Sequence, residues 1–390
     1  MSFDADLVVL GGGCAGLSLG VRLAHAGAAS VRTVIVEGRT EYANDRTWCF
    51  WEPRAHRFAP MISHSWSKMR VRTAAGAVVF ECGDTPYQLL AADTFYGHAV
   101  GRIGASSEVE LALGVRADGQ PERIAGGWAI DTSSGLLRTR RIIDTRPPRR
   151  VRSADALLWQ SFVGEELECG SPVFDATIAE LMDFADARDD GMAFTYVLPM
   201  SSTRALVEYT VFGRNPLSAQ QLVVEQRRAV ARVTHGVASV TLRREHGVLP
   251  MGLTSPATSQ DQSNVRVGLM CGAGRPSTGY AFQRIQRWAS MASTALRSRA
   301  GSVGHVPDAL HQRAMDRLFL HVLRAHPERG PELFLSMFRR VDPARIIRFL
   351  SDQATFLDHA AVIASLPVGL FVSQLPQLRS PRPLTLGWNS

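Results

Sequence analysis

Three glycines and an acid carry the first chemical signal in this chain. Gly11, Gly13 and Gly16 follow the apolar run from Asp6 to Leu10 in the spacing Gly-x-Gly-x-x-Gly, and a second apolar run closes at Glu37. The first glycine permits a tight turn and the second lets backbone approach a pyrophosphate. The third lets strand and helix pack, and the helix N-terminus supplies partial positive charge. Glu37 stands where a carboxylate accepts from both ribose hydroxyls. Alone the glycine spacing is weak; with strand, helix and acid in order it points to a dinucleotide site rather than an unliganded turn.

A second glycine-rich stretch, Gly272 to Tyr280, follows Val265 to Leu269 and opens a helical pattern at Ala281. A nicotinamide-only domain usually completes its site within one continuous stretch, whereas a flavoprotein often needs a late segment to hold the flavin. The bracket therefore favours FAD, with Gly272, Gly274, Pro276, Thr278 and Gly279 toward its flavin end. A helix pointing at the isoalloxazine would favour the anionic reduced form. The plainer reading is a helix start capped by Ser277 and Thr278. Asp144 ends an apolar strand pattern, which would bring its carboxylate to the ligand-binding edge of a sheet.

Glu208 sits in the apolar run from Leu206 to Thr210. Strand carboxylates are mostly solvated. One that faced an apolar cavity would have a raised pKa and could donate a proton near neutrality. Trp48, Phe50 and Trp51 form an aromatic knot that either packs in a core or lines an apolar tunnel. The histidines show no metal-ligand spacing, so no metal is expected.

Such residues need a scaffold. At 390 residues the chain is long enough for two or three lobes. Residues 6–37 read as strand, turn, helix and strand, the helix running from Cys14 to Ala26 with Gly27 to stop it. Alternation at Met69 to Arg72 predicts half-exposed strands within 60–85, and Pro86 to Phe95 reads as a helix. Short strands with glycine turns follow to Asp144, and Pro147-Pro148-Arg149-Arg150 marks a lobe boundary. Residues 155–264 are strand-rich around a helix near Ala219–Thr234, and 305–375 are helical in pattern. The expected class is α/β with an α+β second lobe: a discontinuous nucleotide domain (1–150 and 265–304), a mixed-sheet substrate lobe (151–264) and a C-terminal helical region (305–390).

Composition narrows the partners. Forty-three Lys and Arg against 36 Asp and Glu give a net charge of +7, which suits nucleic acid or an anionic membrane. Arg138 to Arg141 and Arg149-Arg150 are the densest basic runs, with no aromatic interleaving, so nucleic acid is not expected. Five scattered cysteines without a Cys-x-x-Cys pair argue against a disulfide framework or zinc and fit a reducing cytosol. No basic-then-apolar leader is visible and no apolar run reaches membrane-spanning length. The apolar run Ala360 to Val372, broken by Pro367, reads as a buried helix ahead of an interfacial one.

With these residues in view, the chain resembles the bacterial lycopene β-cyclases, flavoproteins distantly similar to flavin hydroxylases and prenyl reductases. Arg46-Thr-Trp-Cys-Phe50 is similar to the family's His-Thr-Trp-Ser-Phe. Asp175-Ala-Thr177, Tyr196 to Met200, Arg204 to Thr210, Gly247-Val-Leu-Pro250 and Pro276 to Tyr280 also resemble family segments. The resemblance implies a Rossmann-like FAD-binding domain of the flavin hydroxylase type. It also implies that Glu208 is the essential acid, protonating a linear ψ-end of lycopene so that a β-ionone ring closes without net redox change. FAD would act reduced, with NAD(P)H as reductant. A unit negative charge about 4 Å from a carbocation contributes roughly 4 kcal/mol at an effective dielectric of 20. Tyr209 departs from the acid the family carries after its essential glutamate. It joins Trp48, Phe50 and Trp51 as a candidate for the wall of the dry substrate tunnel. A lipid-dissolved substrate implies a cytoplasmic protein in peripheral contact with the inner membrane face. Two rivals stay open: a redox flavoenzyme of the same fold (a monooxygenase or a prenyl or carotenoid reductase), and a non-enzymatic carotenoid carrier.

Overall fold

A computed structural model describes residues 2–25, 31–148, 150–185, 188, 191–254 and 261–378. The strand Ala5–Leu10 is buried at every position but Asp6 and pairs in parallel with Thr33–Glu37 on one side and Gly135–Asp144 on the other. A parallel strand is covered on both faces, hence its near-continuous apolar sequence. Val109–Leu113 extends the sheet beyond Thr33–Glu37, and Gly127–Thr132 and Glu122–Ile124 extend it antiparallel at the other edge. Late in the chain, Asn264–Arg266 returns to pair in parallel with Gly135–Asp144. The helices Cys14–Ala24, Ala92–Gly104 and Phe282–Ser298 share one buried cluster with this sheet, built on Leu17, Phe95 and Phe282. The first helix ends at Ala24; the expected stop at Gly27 lies outside the described residues, as does Arg149 of the expected lobe boundary.

A small sheet follows, in which Tyr87–Ala91 is flanked by Thr47–Trp51 and His64–Trp66. This corrects the helical reading of Pro86 to Phe95: Tyr87 to Ala91 is a strand, and the helix begins at Ala92. The Leu-Leu-Ala run suits a helix, but two neighbouring strands supply its backbone partners, and that pairing overrides local propensity.

The second large sheet runs in the order Ser239–Leu253, Ala156–Cys169, Arg204–Gly213, Gly191–Pro199, Ile178–Asp183, Lys68–Thr73, Gly76–Glu81. Its last two strands come from the N-terminal stretch and lie outside the nucleotide-type sheet. The helix Ala219–Val233 covers one face, where Leu222 and Ala229 meet Tyr209 and Val211. The helices Leu310–Ala325, Gly330–Arg340, Pro343–Leu350 and Phe356–Ala364 pack into another cluster with Met69, Phe194 and Met251. The buried Arg275 guanidinium joins these helices to the late glycine loop, donating to the Phe349 carbonyl and facing Asp316 at 3.4 Å, to which the Ser277 hydroxyl donates at 2.7 Å.

The apolar run Ala360 to Val372 is not a buried helix. Its helix ends at Ala364, and Ile363, Val368 and Val372 are exposed together with Phe356, Leu357 and Leu375. Pro367 breaks the run into short pieces, bent by 103°, that cannot all turn inward. Among the described residues no single helix is long and apolar enough to cross a membrane.

Candidate active site

The glycines of the first cradle divide their work by position. Gly11 takes φ +98°, open to glycine at little cost. A Cβ on Gly16 would stand 2.0 Å from the Gly11 carbonyl oxygen, so its absence lets helix and strand touch. A Cβ on Gly13 would meet nothing within 4 Å, and no side chain caps the helix that Gly13 opens. The space and the first-turn N–H groups together form a cradle that fits a pyrophosphate.

Glu37 accepts from the Gly12 N–H at 2.7 Å and from the Arg39 N–H at 2.8 Å, and pairs with the Arg39 guanidinium. Burial works against its charge, but the hydrogen bonds from Arg39 outweigh that and hold the carboxyl below its ordinary range. Asp144, by contrast, is tied to Arg146 at 2.9 Å and to Arg266 at 3.8 Å. It positions those arginines, which line the cavity, rather than facing the cavity itself.

In the return loop, Gly279 at φ +73° and Thr278 reach the cavity. The Gly279 N–H donates to the Arg275 carbonyl, closing a tight turn at 2.9 Å. Gly272, Gly274 and Pro276 stand behind the wall: they shape the loop without lining it, as Gly16 does for the first cradle. The helix after the loop is flanked by Ala281, with no side-chain cap, so Ser277 and Thr278 are not its caps. Beside the loop, Gln160 Oε1 is buried and has no hydrogen-bond partner among the described residues. It is an unspent acceptor on the cavity wall.

One continuous cavity of about 910 Å³ joins these parts to the second large sheet. Gly11, Gly13 and Glu37 line it, and so do Trp48, Phe50, Trp51, Thr278, Gly279 and Glu208. The aromatic knot is therefore both core and wall. Phe50 stacks on Phe282 with ring centroids 5.2 Å apart, Trp48 lies 5.3 Å from the same ring, and Trp51 packs on Tyr87 and Tyr280 at 4.5 and 5.6 Å.

Alternation along Arg204–Gly213 turns Glu208 to the cavity and Tyr209 away from it. Tyr209 is thus not a lining residue: it packs under the helix Ala219–Val233, and its backbone N–H donates to Gln226. Glu208 accepts from the Thr210 hydroxyl at 2.8 Å and contacts the carboxyl of Glu245. Burial first, and the neighbouring charge of Glu245 second, push its pKa up from 4.5 to about 8. A protonated carboxyl facing an aromatic cavity at neutral pH is a general acid in waiting.

Comparison with known proteins agrees in scope. The family described as "Lycopene cyclase protein" matches residues 6–375. The chain belongs to the lycopene cyclase family. It is 24% identical to the lycopene beta-cyclase of a Paracoccus species, over 95% of this chain and 97% of that one. It is 23% identical to the lycopene beta-cyclase of Pantoea ananas, over 93% and 94%. In fold this cyclase-family chain is similar to a geranylgeranyl bacteriochlorophyll reductase-like protein of Thermoplasma acidophilum (TM-score 0.61, 12% identity, 96% and 99% covered). It is also similar to a p-nitrophenol 4-monooxygenase of Pseudomonas putida (TM-score 0.58, 14% identity, 98% and 100% covered). The fold is that of the flavin hydroxylases.

Sequence reasoning missed Glu245 and Gln160 at this cyclase-family site, and it named Tyr196 only as part of a segment, not as a residue lining the cavity. Glu245 lies two positions before the Gly247 to Pro250 segment and looks like any charged residue among Arg243, Arg244 and His246. Only the pairing of its strand with Ala156–Cys169 brings it to Glu208.

Proposed function

We propose that this protein is an FAD-dependent carotenoid cyclase that closes the linear ψ-ends of lycopene into β-ionone rings. Family membership supports a carotenoid substrate, and the cavity is long enough to run from a nucleotide cradle to an acid. The observation that carries the reading is the Glu208 carboxyl, set against Glu245 and opening onto the same cavity as Gly13, where burial and that like charge raise its pKa.

In this reading the aromatic wall holds the apolar end group and keeps water from a cation. Glu208 delivers a proton to the terminal double bond, the neighbouring alkene attacks the tertiary carbocation, and one ring proton returns to the Glu208 carboxylate, completing an isomerisation of unchanged mass. Gly13 and the first turn of its helix would hold the FAD pyrophosphate, Glu37 the ribose, and the loop at Thr278 and Gly279, with Gln160, the flavin end. Bound in its reduced form, with NAD(P)H as reductant, FAD supplies negative charge that stabilises the cation without net electron transfer.

Peripheral contact with the cytoplasmic membrane face is part of the same proposal. A lipid-dissolved substrate has to be collected there, and the exposed side chains of Phe356, Leu357, Ile363, Val368 and Val372 offer an apolar surface for it.

Expression in a host that accumulates lycopene tests the reading. Cyclic carotenes of the same mass are expected from the native chain and none from Glu208→Gln at equal flavin content. Oxygenated or reduced products, or full cyclisation by the variant, would overturn it.

A further inference from the structure

The second large sheet sets four residues in one cross-strand row. Tyr196 lies opposite Glu208, Glu208 opposite Gly164, and Gly164 opposite Glu245. Residues in such a row project to the same face. Two acids on either side of a central strand stand about 10 Å apart at their backbones, so their carboxyls meet only by leaning over the residue between. That residue has no side chain. A Cβ on Gly164 would stand 3.1 Å from Glu245 Cγ and 3.4 Å from Glu208 Cβ, in the space the two acids use.

The two acids are not equivalent. Glu245 is 4% exposed, accepts from the Arg243 guanidinium at 2.5 Å and from the Thr47 hydroxyl at 2.8 Å, and Arg243 also donates to Thr47 at 2.6 Å. Arg243 is pinned in turn by Glu166 at 2.5 Å, and Glu166 pairs with Arg204. Glu245 is therefore anchored by a guanidinium and a hydroxyl. Among the described residues Glu208 has no ion pair of its own: Arg243 acts on it only through its charge, and its own donor is Thr210.

We infer that Glu245 is the positioning residue that keeps Glu208 in its proton-donating form, with Gly164 as the gap through which the two carboxyls share one proton. The inference rests on Glu208 being the acid of the proposed reaction. Like charges at contact cannot both ionise cheaply, so the anchored member leaves the proton to the free one. After Glu208 delivers its proton, the two facing carboxylates repel, and that repulsion draws a proton back onto Glu208. The thiol and the phenols around Glu208 hold still in this range. The Cys49 thiol and the Tyr87, Tyr196 and Tyr280 phenols are all driven upward by burial and stay neutral. Arg243 is held cationic by Glu245 and Glu166 against its burial. The exposed His246 lines the same cavity from the strand of Glu245.

Two readouts on the flavin-loaded protein test this. In infrared spectra over a pH series, the native protein is expected to keep a protonated-carboxyl band above pH 7 that Glu208→Gln lacks. In Glu245→Gln that band should vanish at lower pH, by about one unit or more. The alkaline limb of cyclisation should move the same way, with near-native turnover recovered on the acid side and Glu245→Asp restoring part of the shift. Gly164→Ala keeps every charge in place and should give a smaller displacement of band and limb. It also covers the case in which Glu245→Gln fails to fold. A uniform loss of turnover with an unmoved limb, or a carboxyl band indifferent to both variants, overturns the inference. Cyclisation by Glu208→Gln would instead overturn the functional reading, leaving the infrared comparison to judge the pair on its own.

Discussion

Gln286 donates from its side-chain amide to the Ser18 hydroxyl at 2.7 Å, in the buried seam between the first helix and the helix after the late glycine loop. Arg57 donates to the other end of the same amide. Ser18 belongs to the first cradle and Gln286 to the returning segment, so one amide ties together the two halves that sequence alone pairs only by analogy. Gln286→Leu would leave a buried hydroxyl and a guanidinium without this partner, at a cost of about 1–3 kcal/mol. The expected result is a melting temperature lower by several degrees and a purified protein with less bound flavin, read from its absorbance. Unchanged melting would show that the seam is held by packing alone.

Two of the cradle roles separate by substitution. At Gly16 an added methyl collides with the Gly11 carbonyl, so Gly16→Ala is expected to lower thermal stability whether or not flavin is present. Gly13 lies at φ −77°, a conformation any residue accepts, and faces open space. Gly13→Val should therefore melt like the native chain without cofactor but fail to gain stability when FAD is added. A native-like FAD-dependent rise in that variant would mean that the pyrophosphate sits elsewhere.

These contrasts show what the sequence makes legible. The first cradle is contiguous, so spacing alone singles out Gly11, Gly13, Gly16 and Glu37 as candidates, and coordinates add which of them line the cavity and which stand behind it. Tyr87 to Ala91 misleads because its pairing strands lie at Thr47–Trp51 and His64–Trp66, and no local pattern announces a strand between two partners. Tyr209 misleads through its neighbour: adjacent strand residues face opposite ways, so proximity to Glu208 in sequence places it on the far side of the sheet. Glu245 is invisible for the complementary reason, since it meets Glu208 only across a third strand.

The C-terminal helices make the membrane proposal testable without substrate. Phe356 is 84% exposed and Leu357 66%, at the start of a helix whose Asp358 is locked to Arg348 at 2.7 Å. A Phe356→Ser, Leu357→Ser double variant removes apolar surface without touching that pair, so stability should hold within about 0.5 kcal/mol. Co-flotation with anionic lipid vesicles is expected to fall several-fold. Equal flotation of the two proteins would move the lipid contact to another surface.

Titration of Glu208 leaves a mark on stability as well as on turnover, and the sign follows from the direction of its shift. Its pKa rises from 4.5 in the unfolded chain to about 8 in the fold. Between those values the folded protein holds a proton that the unfolded chain has released, so the Glu208 contribution to folding stability declines as pH rises through this window and levels off above it. Glu37 and Asp358 act in the opposite sense. Both are shifted downward, Glu37 by its bonds to Arg39 against burial and Asp358 first by its bond to Arg348, so they add stability that is lost only as pH falls below the ordinary carboxylate range. The two windows do not overlap. Between pH 5 and 8 the melting curve of the native chain should therefore fall relative to that of Glu208→Gln by up to about one proton per molecule, against the rise that histidines lowered by burial, His305 above all, give both proteins. Glu208→Gln, which cannot titrate, lacks that relative fall and keeps the acid-side loss below pH 4.5. Parallel curves for the two proteins across the neutral window would mean that Glu208 is ionised there and has no proton to give.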